Sequence, residues 1–181
     1  MFDRIVRAIR LDPTLYRQVA DDEQYTTEAF MIVLAVSLFS AGGAAIGAAM
    51  ADTNPVLTFI TNLLSTVLLG WLLWAVIAYF VGTALDGNSG VTEMARTLGY
   101  ANAPGLLGVF AFIPCIGPLV ALAGVLLSLV AGVIAIRESM EFDTTKAVIT
   151  AVLGFVGYII ARIIIGIVLG GVGAIGSSIL G

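Results

Sequence analysis

Long apolar runs separated by short clusters of charge constrain this chain more than any other feature. A bilayer core about 30 Å thick takes about 20 residues of α-helix, because each residue rises about 1.5 Å. The first such run extends from Phe30 to Met50. Thr26, Thr27 and Glu28 precede it and suit a helix cap and first turn, and Asp52, Asn54 and Pro55 end it. The second, Val56 to Leu85, is longer than a perpendicular crossing needs and should tilt or protrude, with Trp74, Tyr79 and Phe80 anchoring one end at the headgroups. The third run, Gly99 to Ile113, crosses only if a helical lead-in from Thr92 is added, and Pro104 should kink it near its middle. The fourth starts at Gly117 and Pro118 and ends at Ile136, before Arg137 and Glu138. The fifth follows Asp143 to Lys146 and runs to about Leu169.

Composition agrees: 60% of residues are apolar and 11% charged, whereas a soluble chain carries about 25% charged residues. The expected fold is an all-α integral membrane protein, a five-helix transmembrane bundle with a short amino-terminal amphipathic helix. Residues 1–25 form cytoplasmic interfacial helices, residues 26–170 the membrane domain, and residues 171–181 a glycine-rich outward tail. Charge placement gives the orientation. Arg4, Arg7, Arg10, Arg17, Arg96, Arg137 and Lys146 all fall on one side of a five-span arrangement, and the opposite segments 51–55, 114–117 and the tail hold no Lys or Arg. The positive-inside rule then puts the amino terminus in the cytoplasm and the carboxyl terminus outside, as expected of a bacterial cytoplasmic membrane protein. The first 25 residues lack the continuous apolar region of a cleavable signal.

Several chemistries are excluded. The chain has no His and one Cys, so neither a His-activated nucleophile nor a His or Cys metal cluster can be built, and no cofactor is expected. A formal charge of -4 argues against a nucleic-acid partner. Phe2, Ile5, Val6 and Ile9 recur at helical spacing, offset from Arg4, Arg7 and Arg10, while Asp12 and Pro13 read as the cap and first position of a second short helix. A basic amphipathic helix of this kind lies in the headgroup plane, either as a plain anchor or as a sensor of anionic lipids or docking element for a partner.

Polar groups inside apolar segments are functional candidates by default. Glu93, Arg96, Thr97 and Tyr100 share one stripe of the third helix, beside a break made of Gly99, Asn102, Pro104 and Gly105. Two accounts stand: an ion pair between Glu93 and Arg96, or a polar pocket or partner site open to the cytoplasm. Arg162 lies two-thirds of the way along the fifth span with no acidic residue at its depth, and should snorkel toward the outer headgroups. Small residues at Gly43 and Gly47, at Gly166 and Gly170, and at Gly124, Ser128 and Gly132 suit close helix packing, within one subunit or in a homo-oligomer.

The segment Arg96 to Gly105, with its Gly99-Tyr100 pair, resembles the bacterial branch of the Yip-one domain family, as do Gly70 to Ala75, Val133 to Arg137 and the opening Leu11, Asp12, Pro13 and Tyr16. These are five-span proteins related to eukaryotic Ypt/Rab-interacting proteins. The resemblance implies a non-enzymatic membrane scaffold or trafficking-type adaptor, the eukaryotic relatives binding prenylated small GTPases and one another. Their Asp-Leu-Tyr-Gly-Pro motif has no clear counterpart in this chain. A small-solute or ion transporter using the broken third span is the alternative, with Glu93, Asn102 and Arg162 as its polar groups.

Overall fold

The computed structural model describes residues 1–112 and 117–180; all but the last residue of the expected loop at 114–117 lies outside them. Every element in this range is helical: α1 (Phe2–Ile9), α2 (Pro13–Asp21), a 3₁₀ turn (Glu23–Tyr25), α3 (Thr26–Met50), α4 (Pro55–Ser65), a π-helical segment (Thr66–Leu72), α5 (Leu73–Ala84), α6 (Val91–Ala101), a 3₁₀ segment (Ala103–Phe112), α7 (Gly117–Met140) and α8 (Thr144–Leu180). Among the described residues four helices are long and apolar enough to cross a membrane, Glu23–Met50, Pro55–Ala84, Leu122–Met140 and Thr144–Ile167. Large apolar side chains such as Leu126, Val152 and Ile163 stand exposed along α7 and α8, the surface expected of helices immersed in lipid.

The third expected span is the main departure. Pro104 does not merely kink a helix: α6 ends at Ala101, Asn102 turns, and the chain resumes as a ten-residue 3₁₀ segment. The Asn102 amide bonds back to the Gly99 carbonyl, which strips Leu98 of its usual amide partner, and the Asn102 side chain fills that vacancy by donating Nδ2–H to Leu98 O at 2.8 Å. Three smaller boundaries also shift. The second run is one stretch from Pro55 to Ala84 with a π segment inside it, α7 continues past Arg137 to Met140, and α8 carries helix through the glycine-rich segment to Leu180 where a tail was expected.

Helix ends follow side-chain chemistry. Asp12 and Asn54 cap α2 and α4, each with proline at the first helical position. At the other end, four helices close through a residue in the left-handed region: Leu11 (φ 60°), Asp52 (φ 53°), Asp86 (φ 65°) and Glu141 (φ 56°). In each case the next residue's amide reaches back to a carbonyl in the helix's last turn, Asp12 to Arg7, Thr53 to Ala48, Gly87 to Gly82 and Phe142 to Arg137.

Small residues set the packing selectively. A Cβ on Gly99 would lie 2.9 Å from Ala29 Cβ, and one on Gly124 would lie 2.9 Å from the Pro104 carbonyl oxygen, so α6 meets α3, and the 3₁₀ segment meets α7, almost backbone to backbone. Gly154 sits under Trp74. Gly43, Gly47, Gly132 and Gly166 have open space around them, so these members of the expected packing stripes make no close contact within the subunit.

Candidate functional site

The polar groups converge where α1 and α2 dock on the ends of α3, α6 and α7. Leu15, Tyr16 and Val19 of α2 are buried in one apolar cluster with Met94, Leu98, Ala135, Ile136 and Met140. Ile5 and Ile9 of α1 pack against that cluster as partly buried residues, whereas Phe2 is 80% exposed. The two helices therefore spend most of their apolar face on protein, and Phe2 alone of that face projects freely.

Three backbone ends are capped by side chains from other elements. Arg96, 4% exposed, donates Nε–H to Val19 O at 2.6 Å and Nη2–H to Ala20 O, two carbonyls in the last turn of α2 that α2 itself leaves without amide partners. A longer contact joins its Nη1 to Thr26 Oγ1 at 3.4 Å. Arg17 of α2 returns the arrangement: Nη1–H goes to Glu138 O at 3.0 Å, near the end of α7, and Nη2–H to Glu141 Oε1 at 2.6 Å. Tyr16 donates its hydroxyl hydrogen to Ala8 O at 3.2 Å, at the end of α1, and burial pushes this phenol above its ordinary range. Cations at helix carboxyl ends also meet the negative pole of the helix dipole.

Arg4 adds an ion pair at the start of α3. Its Nε and Nη2 both reach the Glu28 carboxylate, Nε to Oε2 at 3.1 Å, and its guanidinium lies 5.1 Å from the Tyr25 ring centroid. The amino-terminal amine is 3.7 Å from the same carboxylate. Tyr25 stands edge-on to Tyr100, 6.4 Å between centroids, and Tyr100 is fully buried against this cluster. On α1 and α2, Arg7 donates to Asp12 Oδ2 at 2.8 Å. Bonds from Thr14 and then from Arg7 hold the Asp12 carboxyl down at about 2.

The stripe expected on α6 is thus assembled but closed. Arg96, Thr97 and Tyr100 are buried, and Gly99 meets Ala29. Arg96 does not pair with Glu93. Glu93 instead accepts from Ser139 Oγ at 3.2 Å, and Ser139 in turn meets Ser89 Oγ at 2.7 Å, tying the 86–90 turn to α7. Thr97 spends its hydroxyl on the Glu93 and Met94 carbonyls of its own helix. Asn102 is spent on Leu98, and Pro104 is buried beside Gly124. Arg7 and Arg10 lie apart from this cluster, Arg10 exposed. Arg162 donates to Tyr158 Oη at 3.1 Å, one turn back along α8. Two residues that the sequence reading did not place at this site, Arg17 and Trp71, help hold the assembly. Trp71 lies in the π-helical segment and donates Nε1–H to Ala95 O of α6 at 2.8 Å. A π segment has no apolar signature that would separate it from plain helix.

Two apolar clefts lie elsewhere. One of ≈ 340 Å³ runs between Gly105 and Gly108 of the 3₁₀ segment and Gly124 to Leu129 of α7; the other, ≈ 500 Å³, opens between the π segment, α5, α7 and α8. Among the described residues no group of three or more His, Cys, Asp or Glu could hold a metal ion.

An apolar helical bundle with a small polar cap folded onto one end defines an integral membrane protein. The Yip1 domain model matches residues 11–165, nearly the whole chain, and the chain belongs to the Yip1 domain family. No curated protein and no solved structure matches it.

Proposed function

We propose that the chain is a non-enzymatic scaffold of the bacterial cytoplasmic membrane, presenting a fixed polar platform to partner proteins or lipids. The observation that carries this reading is the clamp: Arg96 on α2, Arg17 on α7 and Arg4 on Glu28 hold the amino-terminal helices in one position. Asp3, Arg10, Gln18, Asp21, Glu23 and Gln24 stay exposed on those helices and the turns that flank them, the polar rim a docking partner reads. Transport has less support, because the stripe that would line a cytoplasmic pocket is covered.

Five spans with the amino terminus inside fit the packing. Eleven residues of α6 rise about 16 Å at about 1.5 Å each, and ten of 3₁₀ about 20 Å at about 2.0 Å each, together more than the roughly 30 Å of a bilayer core. Gly99 lies beside Ala29 and Gly105 beside Val36, so the third segment advances in the same direction as α3. In a Cys115-free background, cysteines at Thr53 should label with an impermeant reagent in intact cells, and those at Gln18 and Thr144 should not. Labelling of the second pair overturns the orientation.

The role itself is tested by affinity capture in mild detergent of the wild type and of Arg96→Met. The expected result is a stoichiometric protein partner, or a second copy, retained by the wild type and lost by the variant. A protein that carries no such partner and moves a solute across proteoliposome membranes refutes the scaffold and favours transport.

A further inference from the structure

We infer that α1 carries a lipid-contacting edge, Phe2 and Val6, that rests in the surface of the bilayer while α2 stands clear of it in water. Ala8 is buried and Ile5 packs on the apolar cluster, which fixes the side of α1 that faces protein. At about 100° per residue, Phe2 and Val6 lie roughly a quarter-turn round from that side, and Asp3, Arg7 and Arg10 a further quarter-turn. Phe2 is 80% exposed, and Val6 is partly exposed and outside the cluster. A helix lying along a bundle at a membrane surface meets three surroundings in that order: protein, lipid and water. The three faces of α1 match them.

The level of α1 agrees. Arg4 pairs with Glu28, the last charged residue before the apolar run of α3, and its guanidinium lies over the ring of Tyr25, the residue before α3 begins. Phe2 and Val6 occupy the edge of α1 opposite Arg4, away from those groups. α1 also touches the 3₁₀ segment. That segment follows Gly99, which lies beside Ala29, and its Gly105 lies beside Val36, so it starts level with the second turn of α3. Phe30 and Met31, in that turn, are exposed as lipid-facing side chains are. α2, by contrast, packs on α6 and α7, its Arg17 reaching Glu138 and Glu141 at the water-side end of α7.

Lipid is the occupant this edge fits. Phe2 and Val6 offer roughly 200 Å², against the roughly 800 Å² per partner of a stable protein interface, too little for a second copy. Lipid needs no such area, because the membrane helices already hold the chain in the bilayer and one aromatic ring at the headgroup boundary adds to an existing attachment. The polar platform is thereby divided: lipid takes this edge of α1, and α2 is left open to a protein. Contact with lipid holds whether or not such a partner binds, so the two fail separately.

The test uses the full chain without Cys115, in vesicles of phosphatidylcholine and phosphatidylglycerol, carrying an NBD fluorophore on one of Phe2→Cys, Val6→Cys, Asp3→Cys, Arg10→Cys or Gln18→Cys. Labels on Phe2→Cys and Val6→Cys should be quenched about two-fold more by lipids with a nitroxide near the headgroup than by lipids with one at the chain end, the depth of an interfacial helix. Iodide in the water should quench those two labels about five-fold less than the other three, which sit on the water-facing sides of α1 and α2. In the unlabelled protein in nanodiscs, Phe2→Ser should speed amide exchange over residues 2–9 about five-fold and Phe2→Trp should not, an effect that a side chain standing in water would not have. Iodide quenching of Phe2→Cys equal to that of Asp3→Cys, or exchange unchanged by Phe2→Ser, puts the edge in water and overturns the contact. Labels at positions 2 and 6 shielded from both quenchers are covered by protein, which overturns it in favour of a second copy.

Discussion

Arg96→Met should release the amino-terminal helices while leaving the membrane helices in place. The native guanidinium gives two charge-assisted bonds to Val19 O and Ala20 O, and bonds to charged donors contribute about 1.5–3 kcal/mol each. Methionine nearly matches the volume and removes the cost of holding a cation at 4% exposure, which offsets part of that loss. What remains is two buried carbonyls without donors, at about 1–3 kcal/mol each, less whatever water recovers once α2 lifts. The net effect is about 2–4 kcal/mol on the docking of α2, or roughly 30- to 1000-fold in its opening equilibrium. Amide hydrogen exchange in nanodiscs reads this directly. Protection at α1 and α2 should fall by that factor, while protection within α3, α7 and α8 changes little, because the bonds from Arg96 go to α2 and to Thr26 at the first position of α3. Arg96→Lys keeps the charge but not the fork and should fall between. If exchange over residues 13–21 changes less than about three-fold in Arg96→Met, α2 is held by its apolar face alone and the clamp is not the device described above.

Three further outcomes follow from the same contacts. A double-mutant cycle of Arg4→Gln and Glu28→Gln, read by proteolysis of the amino-terminal segment, should give a coupling of about 1 kcal/mol or somewhat more, since Glu28 is mostly buried and Arg4 is not. Asp12 has its carboxyl pKa depressed to about 2, so its contribution is complete above the ordinary carboxylate range and is lost as pH falls through about 4 toward 2; the α1–α2 junction should loosen over that interval in the wild type and show no such dependence in Asp12→Asn, as followed by amide exchange. Gly99→Ala should destabilise by about 1–3 kcal/mol in an unfolding titration, its Cβ meeting Ala29 at 2.9 Å, whereas Gly43→Ala, with open space around it, should be neutral or slightly stabilising.

The membrane helices were legible because the signal they carry is the length of an apolar run, and lipid demands little else of a helix. That signal found the segments now seen as α3, α7, α8 and the Pro55–Ala84 stretch to within a few residues, apart from the carboxyl end of α8. It fails where backbone geometry departs from the plain α-helix. The π segment at Thr66–Leu72 and the 3₁₀ segment at Ala103–Phe112 have the same apolar composition as their neighbours, so hydropathy does not separate them. Pro104 marked the place of the second break, but its extent depends on Gly105 and Gly124 letting α3 and α7 press against the chain, contacts that lie far apart in sequence.

The functional end shows a different limit. Arg4, Arg96 and Arg17 entered the sequence reading as positive-inside charges, and their count on one side of the chain is a statement about topology that needs no partner. In the structure the same cations are structural, two of them facing helix carbonyls and one facing Glu28. A backbone carbonyl at a helix end has no residue identity, so no spacing rule could have paired Arg96 with Val19 or Arg17 with Glu138. Glu93, three residues before Arg96, looked like the obvious partner because sequence proximity exposes only charges carried by side chains. Helix ends are the commonest uncompensated negative groups in an all-helical protein, and they compete well for a buried arginine. In a small membrane protein with 8 basic residues, those ends are therefore the first place to seek the partner of a cation that finds no carboxylate.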